Sequence, residues 1–352
     1  MKKIAIICVI LCTPLLINAQ TQIPTLDDLD HEIAMSSQYD KQYEDVIRSV
    51  KKQLYAAKSM EARYDLSNKL FNLYTSYSVD SAIVYAMEKQ KIAKAMGNQS
   101  KVNDAKLNLA YLLIRGGELK EASDIINSIP RSEINQDLSF YYFSTRKTLY
   151  RTLADAALIP SQRKMYKQME KLCNDSVVDN NQSPDIWSRA EQLVNRQQYE
   201  QAKKILLDAY HHLKPGDRQT AFVSISLADI YGREKNVEAQ KQYLIAAAIS
   251  DIRNSVKEYL ALQQLAMILF EEGDTKRAYA YMDHAMNDAV FCNARQRTIA
   301  MADVWPAIEK SHERETKSRT LKLTAALVLI SLLSVFLLVM IIYTRRRVVE
   351  LR

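Results

Sequence analysis

Apolar and small residues recur along most of the chain at the spacing of paired amphipathic helices. The clearest unit lies between residues 259 and 288, where two apolar stripes flank the turn Gly273-Asp274. Its small or apolar positions are Leu265, Ala266, Leu269, Ala278, Met282 and Ala285. Small residues allow two antiparallel helices to cross closely, and the apolar residues recur with the period of a helix. The unit therefore predicts a helical hairpin.

The same unit recurs upstream, with its first small position at Ala110, Ala190 and Ala228. Less regular units lie around residues 70–95 and 141–173. One hairpin cannot bury its apolar stripe alone, so neighbouring hairpins stack and wind into a superhelix. The spacing is similar to that of tetratricopeptide repeats. We therefore expect an all-α protein in which residues 60–300 form a tetratricopeptide-like α-solenoid of about six hairpins.

Three segments depart from the repeat pattern. Residues 20–59 carry apolar positions at helical spacing and predict an N-terminal helical cap in the form of a hairpin. The polar stretch 174–184, which ends at Pro184, predicts a hinge between two halves of the array. Residues 301–322 form a juxtamembrane segment, and within it residues 312–320 predict a second flexible point.

Continuous apolar runs occupy both ends of the chain. The run 323–343 is long enough for one helix to cross a hydrocarbon core of about 30 Å, so it predicts a transmembrane helix. At the other end, Met1 to Lys3 and a following apolar stretch have the pattern of a secretory signal peptide over residues 1–19. We therefore expect a single-pass inner-membrane protein with a periplasmic N-terminal domain and a short cytoplasmic tail, residues 344–352. An uncleaved signal would instead form an N-terminal anchor.

The net charge of +7 is accompanied by basic residues on both sides of the predicted span. Three of them follow it directly: Arg345, Arg346 and Arg347. Anionic lipid head groups are the simplest partner for such flanks. A nucleic-acid-binding tail is the alternative, but a basic cluster next to a membrane helix normally sets topology and contacts lipid. We therefore expect lipid contacts and no direct nucleic acid binding by this segment.

The sequence contains no pattern that indicates a catalytic site, a metal site or a cofactor site. Adjacent His211 and His212 point about 100° apart on a helix, and no Cys, Asp or Glu completes a ligand set with them. The chain has no phosphate-binding glycine loop and no nucleophile elbow. Cys173 and Cys292 are the only cysteines after the predicted signal, and their pairing is left open. Most of the 20 tyrosines are expected to pack within the repeats.

Short motifs near the N-terminus carry a family resemblance. They are Leu26-Asp27-Asp28-Leu29-Asp30, Tyr64-Asp65-Leu66 and Tyr77-Ser78-Val79-Asp80-Ser81-Ala82. With the signal, repeats and span, they resemble Gram-negative membrane proteins that have extracytoplasmic tetratricopeptide repeats and a cytoplasmic coiled coil leading to a helix-turn-helix output. The chain resembles in particular a branch catalogued as a domain of unknown function. The resemblance implies that Val348, Val349 and Leu351 begin a coiled coil that continues beyond this sequence.

These observations favour two functions. The first is a non-enzymatic receptor whose array binds a protein or peptide partner in its concave groove, as the sensor part of a membrane-bound signalling or transcription regulator. The alternative is a passive envelope scaffold or assembly factor tethered to the inner membrane. A homodimer is compatible with either function, although the span carries no Gly-x-x-x-Gly motif. The sequence assigns no binding residues.

Overall fold

A computed structural model describes residues 24–179, 186–214 and 216–350 of the chain. These residues form fifteen α-helices and one short 3₁₀ turn, Arg131–Glu133, and they contain no β-strand. In chain order the helices are α1 (Leu26–Ala56), α2 (Met60–Tyr74), α3 (Val79–Ala95), α4 (Gln99–Gly116), α5 (Leu119–Asn127), α6 (Gln136–Ala156), α7 (Pro160–Asp179), α8 (Ile186–Asn195), α9 (Tyr199–His212), α10 (Arg218–Arg233), α11 (Val237–Arg253), α12 (Ala261–Glu271), α13 (Thr275–Cys292), α14 (Arg295–Ala302) and α15 (Trp305–Glu350). The expected all-α fold is confirmed.

Helices α2 to α13 pair in chain order into six hairpins, from α2–α3 to α12–α13. The small residues that define the repeats lie where the paired helices cross. Seven of them are at most 1% exposed: Ala110, Ala122, Ala190, Ala202, Ala228, Ala266 and Ala278. Because a larger side chain would push the two helices apart, these positions explain why the repeat is visible in the sequence. The α-solenoid predicted for this part of the chain is therefore confirmed.

The short turns within the hairpins use residues suited to the local backbone. Gly117 ends α4 with a φ of 84°, and Gly273 follows α12 with a φ of 87°. Both angles lie in the left-handed region, which glycine adopts without strain. In two of the turns, Asn236 and Asp274 cap α11 and α13 by accepting a backbone N–H through their side chains. The caps satisfy donors that have no partner inside the helix, so one helix can start soon after the previous one ends.

The N-terminal cap is one long helix, so the expected hairpin is wrong. Helix α1 runs for 31 residues from Leu26 to Ala56. Neither Gly nor Pro lies between these residues, so nothing interrupts the helix. Thr25 starts it with a capping box, in which its side chain and that of Asp28 each accept a backbone N–H of the other residue. A helix of this length extends beyond the first hairpin.

The two ends of the array meet, which the sequence did not predict. Helix α1 packs against α2 and also against α11, and α4 contacts α14. One hydrophobic cluster includes Leu29 and Leu70 from the N-terminal part and Leu244, Leu265 and Met301 from the C-terminal part. The array therefore does not form an open superhelix with two free ends. Instead, α1 bridges the first and fifth hairpins.

The predicted hinge at 174–184 lies only partly within the described residues. Residues 174–179 belong to α7, and residues 180–184 lie outside the described part of the chain. Side chains join the helices on either side. Lys147 of α6, which is 2% exposed, donates to Glu191 of α8 at 2.8 Å and to Asn174 of α7 at 3.2 Å. This buried ion pair holds α8 against α6, because separating the helices would leave the lysine charge unpaired.

Helix α15 continues without a break for 46 residues from Trp305 to Glu350. The flexible point expected at 312–320 is therefore wrong, since Glu, Arg and Lys favour helix there and no Gly or Pro interrupts it. Ile308, in the first turn of α15, is fully buried. The apolar run 323–343 is exposed along its whole length. Helix α15 is thus a single rod that starts in the core of the array and has the length and composition of a membrane-spanning helix.

Candidate functional site

The contact between α1 and the last two hairpins is formed by acidic residues on one side and mostly basic residues on the other. The α1 residues are Asp27, Asp30, Glu32 and Asp40. Their partners on α11, on α13 and in the connection after α11 are Arg253, Lys257, Arg277 and Tyr281. We call these eight residues the end junction.

The first part of the end junction holds the start of α1. Nε of Arg277 donates to Oδ2 of Asp30 at 3.0 Å, and the same guanidinium pairs with Asp27. Oη of Tyr281 donates to Oδ1 of Asp30 at 2.7 Å. One carboxylate therefore accepts hydrogen bonds from two side chains of α13. The Asp27 side chain is 88% exposed, so its pair with Arg277 is largely solvated and contributes little to stability.

The second part of the end junction contains a buried carboxylate. The Glu32 side chain is 7% exposed and pairs with Arg253 at the end of α11. Oη of Tyr39 donates a further hydrogen bond to Glu32 at 2.7 Å. The hydrogen bond from Arg253 lowers the pKa of Glu32 although burial opposes this, so the carboxylate is ionised at neutral pH. A buried charge requires such partners, so α1 cannot shift here without breaking the pair.

The third part of the end junction is a buried lysine between two carboxylates. Nζ of Lys257 donates to Asp40 of α1 at 2.7 Å and to Asp288 of α13 at 3.1 Å. His284 lies beside Asp288, with Nε2 3.5 Å from the carboxylate oxygen. Burial lowers the pKa of His284 although Asp288 opposes the change, so the imidazole is neutral at pH 7. The ammonium of Lys257 therefore supplies the positive charge between the two carboxylates.

The turn between α2 and α3 forms a second contact between the two ends. The backbone carbonyl of Ser76 accepts a hydrogen bond from the backbone N–H of Lys257 at 2.7 Å. The Ser76 hydroxyl accepts another from Arg218 at 3.2 Å. Arg115 donates to the carbonyl of Thr75 and pairs with Glu258. Groups from the first part and from the last part of the array thus contribute to the closure.

Helix α13 also carries the contact with α15. The Tyr279 ring stacks on His312, with centroids 4.2 Å apart, and on Trp305, with centroids 5.3 Å apart. Tyr279 lies two residues from both Arg277 and Tyr281, which places it about 200° around the helix from either one. One helix therefore holds α1 on one face and the start of α15 on the opposite face.

The histidine pair and the cysteines have structural surroundings. His212 lies at the end of α9, with Nδ1 2.7 Å from the carbonyl oxygen of Asp208. Within the described ranges, no group of three or more His, Cys, Asp or Glu side chains is arranged to hold a metal ion. Cys173 and Cys292 are buried and not bridged to each other. Burial raises the pKa of Cys292 to about 12, so its thiol is protonated at neutral pH and unreactive.

Sequence reasoning missed the end junction because its partners are far apart in the chain. Asp30 and Arg277, for example, are separated by 247 residues. The acidic positions on α1 were visible, but an acidic stripe on an amphipathic helix also fits a simple solvated face. Arg345 and Arg346 lie exposed near the end of α15, and their contact with lipid stays a prediction.

Comparison with known proteins agrees with the helical hairpins. The family described as the SusR N-terminal TPR domain matches residues 33–303 of the chain. This match extends from α1 to the residue that follows α14, so it includes all six hairpins. A search among curated proteins finds no match.

Proposed function

Because the chain belongs to the SusR N-terminal TPR domain family, we propose that it is the non-enzymatic sensor part of a membrane-bound signalling or transcription regulator. TPR domains are in general protein-interaction modules, and a solenoid offers an extended surface for a protein or peptide partner. In this proposal the array lies in the periplasm, α15 crosses the inner membrane, and the tail after residue 343 lies in the cytoplasm. Arg345, Arg346 and Arg347 contact the lipid head groups there.

The observation that supports signalling over passive tethering is the unbroken α15. Ile308 is buried in the array, and the apolar run begins at Leu323 on the same helix. The helix rises about 22 Å between these residues, at about 1.5 Å per residue. A tether needs only length and tolerates flexible linkers. A rigid helix, in contrast, transmits a rotation or a shift of the array to the span.

The test changes the rotational phase of α15 without removing any contact. Two residues inserted after Lys317 rotate the membrane span by about 200° relative to the array, whereas seven inserted residues restore its orientation to within about 20°. The insertion is made with helix-favouring residues in the chromosomal gene of the native host. Genome-wide transcript levels are compared among the wild type, the two insertions and a gene deletion, after equal protein amounts in the membrane have been verified.

The proposal predicts that the two-residue insertion reproduces the transcript changes of the deletion and that the seven-residue insertion resembles the wild type. If both insertions resemble the wild type, the helix serves only as a tether and the passive scaffold is favoured. A deletion without any effect on transcripts, or a loss of function in both insertions, would likewise contradict a phase-dependent signal.

A further inference from the structure

The two halves of α1 are packed differently. In the second half, Ile47 and Val50 are buried, and Tyr43 donates to a backbone carbonyl of α2. In the first half, Leu29 is the only apolar side chain that is fully buried. Ser36 and Ser37 lie within the first half, and serine favours helix less than most of its neighbours do. The first half of α1 therefore depends more than the second half on the charges of the end junction.

The surface beneath α1 is apolar with a basic rim. In α11, every residue from Leu244 to Ser250 is buried, although a hairpin helix at the outside of an array normally leaves one face exposed. Helix α1 packs against α11 and shares its hydrophobic cluster. Arg253, Lys257 and Arg277 surround this region. If the first half of α1 leaves, the exposed surface combines apolar side chains with three positive charges.

We propose that the surface covered by the first half of α1 is a docking site for an acidic amphipathic helix, and that α1 is its resident occupant. The partner helix must carry the same features as α1, which are one apolar stripe and carboxylates that can pair with Arg253, Lys257 and Arg277. This inference rests on the proposed function and deepens it by naming the chemistry of the partner.

The ion pairs make exchange between α1 and a partner feasible. The side chains of Asp27 and Asp30 are 88% and 43% exposed, and that of Arg277 is 30% exposed. Solvated pairs of this kind are weak individually and are screened by salt. The buried pairs Glu32–Arg253 and Asp40–Lys257 must break as well, and the carboxylates of the incoming helix replace those of α1 there. Release of the first half would leave the second half packed on α2. The site is also adjacent to the membrane helix, because the opposite face of α13 holds α15 through Tyr279.

The test is a charge swap in the full chain, reconstituted in lipid nanodiscs. The probe is a fluorescent peptide with the sequence of residues 24–42. In the D30K chain, the introduced ammonium would face Arg277, so α1 is released and the native peptide binds at least about tenfold more tightly than to the wild type. In the R277D chain, the native peptide does not bind but a peptide carrying D30K does. Lys276→Asp is the matched control, because Lys276 is exposed and adjacent to Arg277, and this variant should behave as the wild type.

Hydrogen exchange of residues 26–40 shows whether α1 has been released. If these amides exchange faster in D30K and no peptide binds, the released surface is not a docking site and the proposal is overturned. It is overturned equally if R277D binds the native peptide as well as D30K does. Because binding is measured on the purified chain, it succeeds or fails independently of the transcript measurement that tests signalling.

A second measurement keeps the proposal testable if a variant fails to fold. In the wild-type chain, exchange of residues 26–40 should accelerate between low salt and about 0.5 M salt, because screening weakens the end junction. Residues 60–74 of α2 serve as the internal control. Equal exchange of residues 26–40 at both salt concentrations would show that α1 is a fixed part of the core and would overturn the proposal.

Discussion

Truncation of Ile308 should loosen the contact between the array and α15. Ile308 is fully buried, and the stacks of Tyr279 on Trp305 and His312 lie on either side of it along α15. Replacement of a buried isoleucine by alanine costs about 2–5 kcal/mol, through lost burial and the cavity that remains. Because residues 313–346 of α15 are exposed, we expect about 3 kcal/mol of this cost to appear as local opening of residues 305–312.

Hydrogen exchange of the full chain in nanodiscs measures this opening directly. A loss of about 3 kcal/mol corresponds to exchange about 150-fold faster for the amides of residues 305–312. Leu321→Ala is the matched control, because Leu321 lies on the same helix and is 72% exposed. It should change the local stability by less than about 0.5 kcal/mol. Unchanged exchange at 305–312 in Ile308→Ala, or an equal acceleration throughout α2 to α12, would refute a local contact that couples the array to α15.

Three further predictions concern buried charges. Lys89 is fully buried and donates to Asn68, Asp104 and Asn108. Lys89→Met should therefore lower the free energy of unfolding, measured in urea, by about 3 kcal/mol. As the control, Lys91→Met at an exposed position should change it by less than about 0.5 kcal/mol. Burial and nearby Glu258 raise the pKa of Asp251 to about 7, although Arg218 and Arg297 oppose the change. The folded chain therefore holds this proton more tightly than the unfolded chain does, and the wild type should lose stability relative to Asp251→Asn as the pH rises from 4 to 8. Equal pH profiles of the two chains would contradict this prediction. Glu191→Gln removes the anion beside buried Lys147, whose Nζ lies 4.4 Å from the centroid of the Trp187 ring. The substitution should therefore change the Trp187 fluorescence and accelerate hydrogen exchange in α8. An unchanged spectrum and an unchanged exchange rate would contradict the role assigned to this pair.

The repeat array could be predicted because its signal is local. A small residue, such as Ala228 or Ala266, lies at each place where two paired helices cross, and the two helices are close in sequence. The long apolar helix was equally visible, since the run 323–343 stands out by its length and composition alone. Features that are built from contacts between sequence neighbours are thus accessible without a structure.

The closure of the array could not be predicted for the opposite reason. Its ion pairs join α1 to residues more than 200 positions away, for example Glu32 to Arg253, which are 221 apart. Nothing in the local pattern distinguishes an acid that meets such a partner from one that faces water. The flexible point at 312–320 was expected just outside the predicted membrane run, but a polar segment continues a helix when no residue breaks it.

The membrane topology tests the central claim most directly, because a sensor requires the array and the tail on opposite sides. Single cysteines are introduced at Lys276, on the exposed surface of α13, and at Arg346, after the span, while the buried Cys173 and Cys292 are retained. Intact cells are treated with a charged maleimide that enters the periplasm but does not cross the inner membrane. We expect labelling of Lys276→Cys in intact cells and of Arg346→Cys only after the inner membrane is permeabilised. Labelling of both in intact cells, or the reverse pattern, would contradict a periplasmic array joined to a cytoplasmic tail.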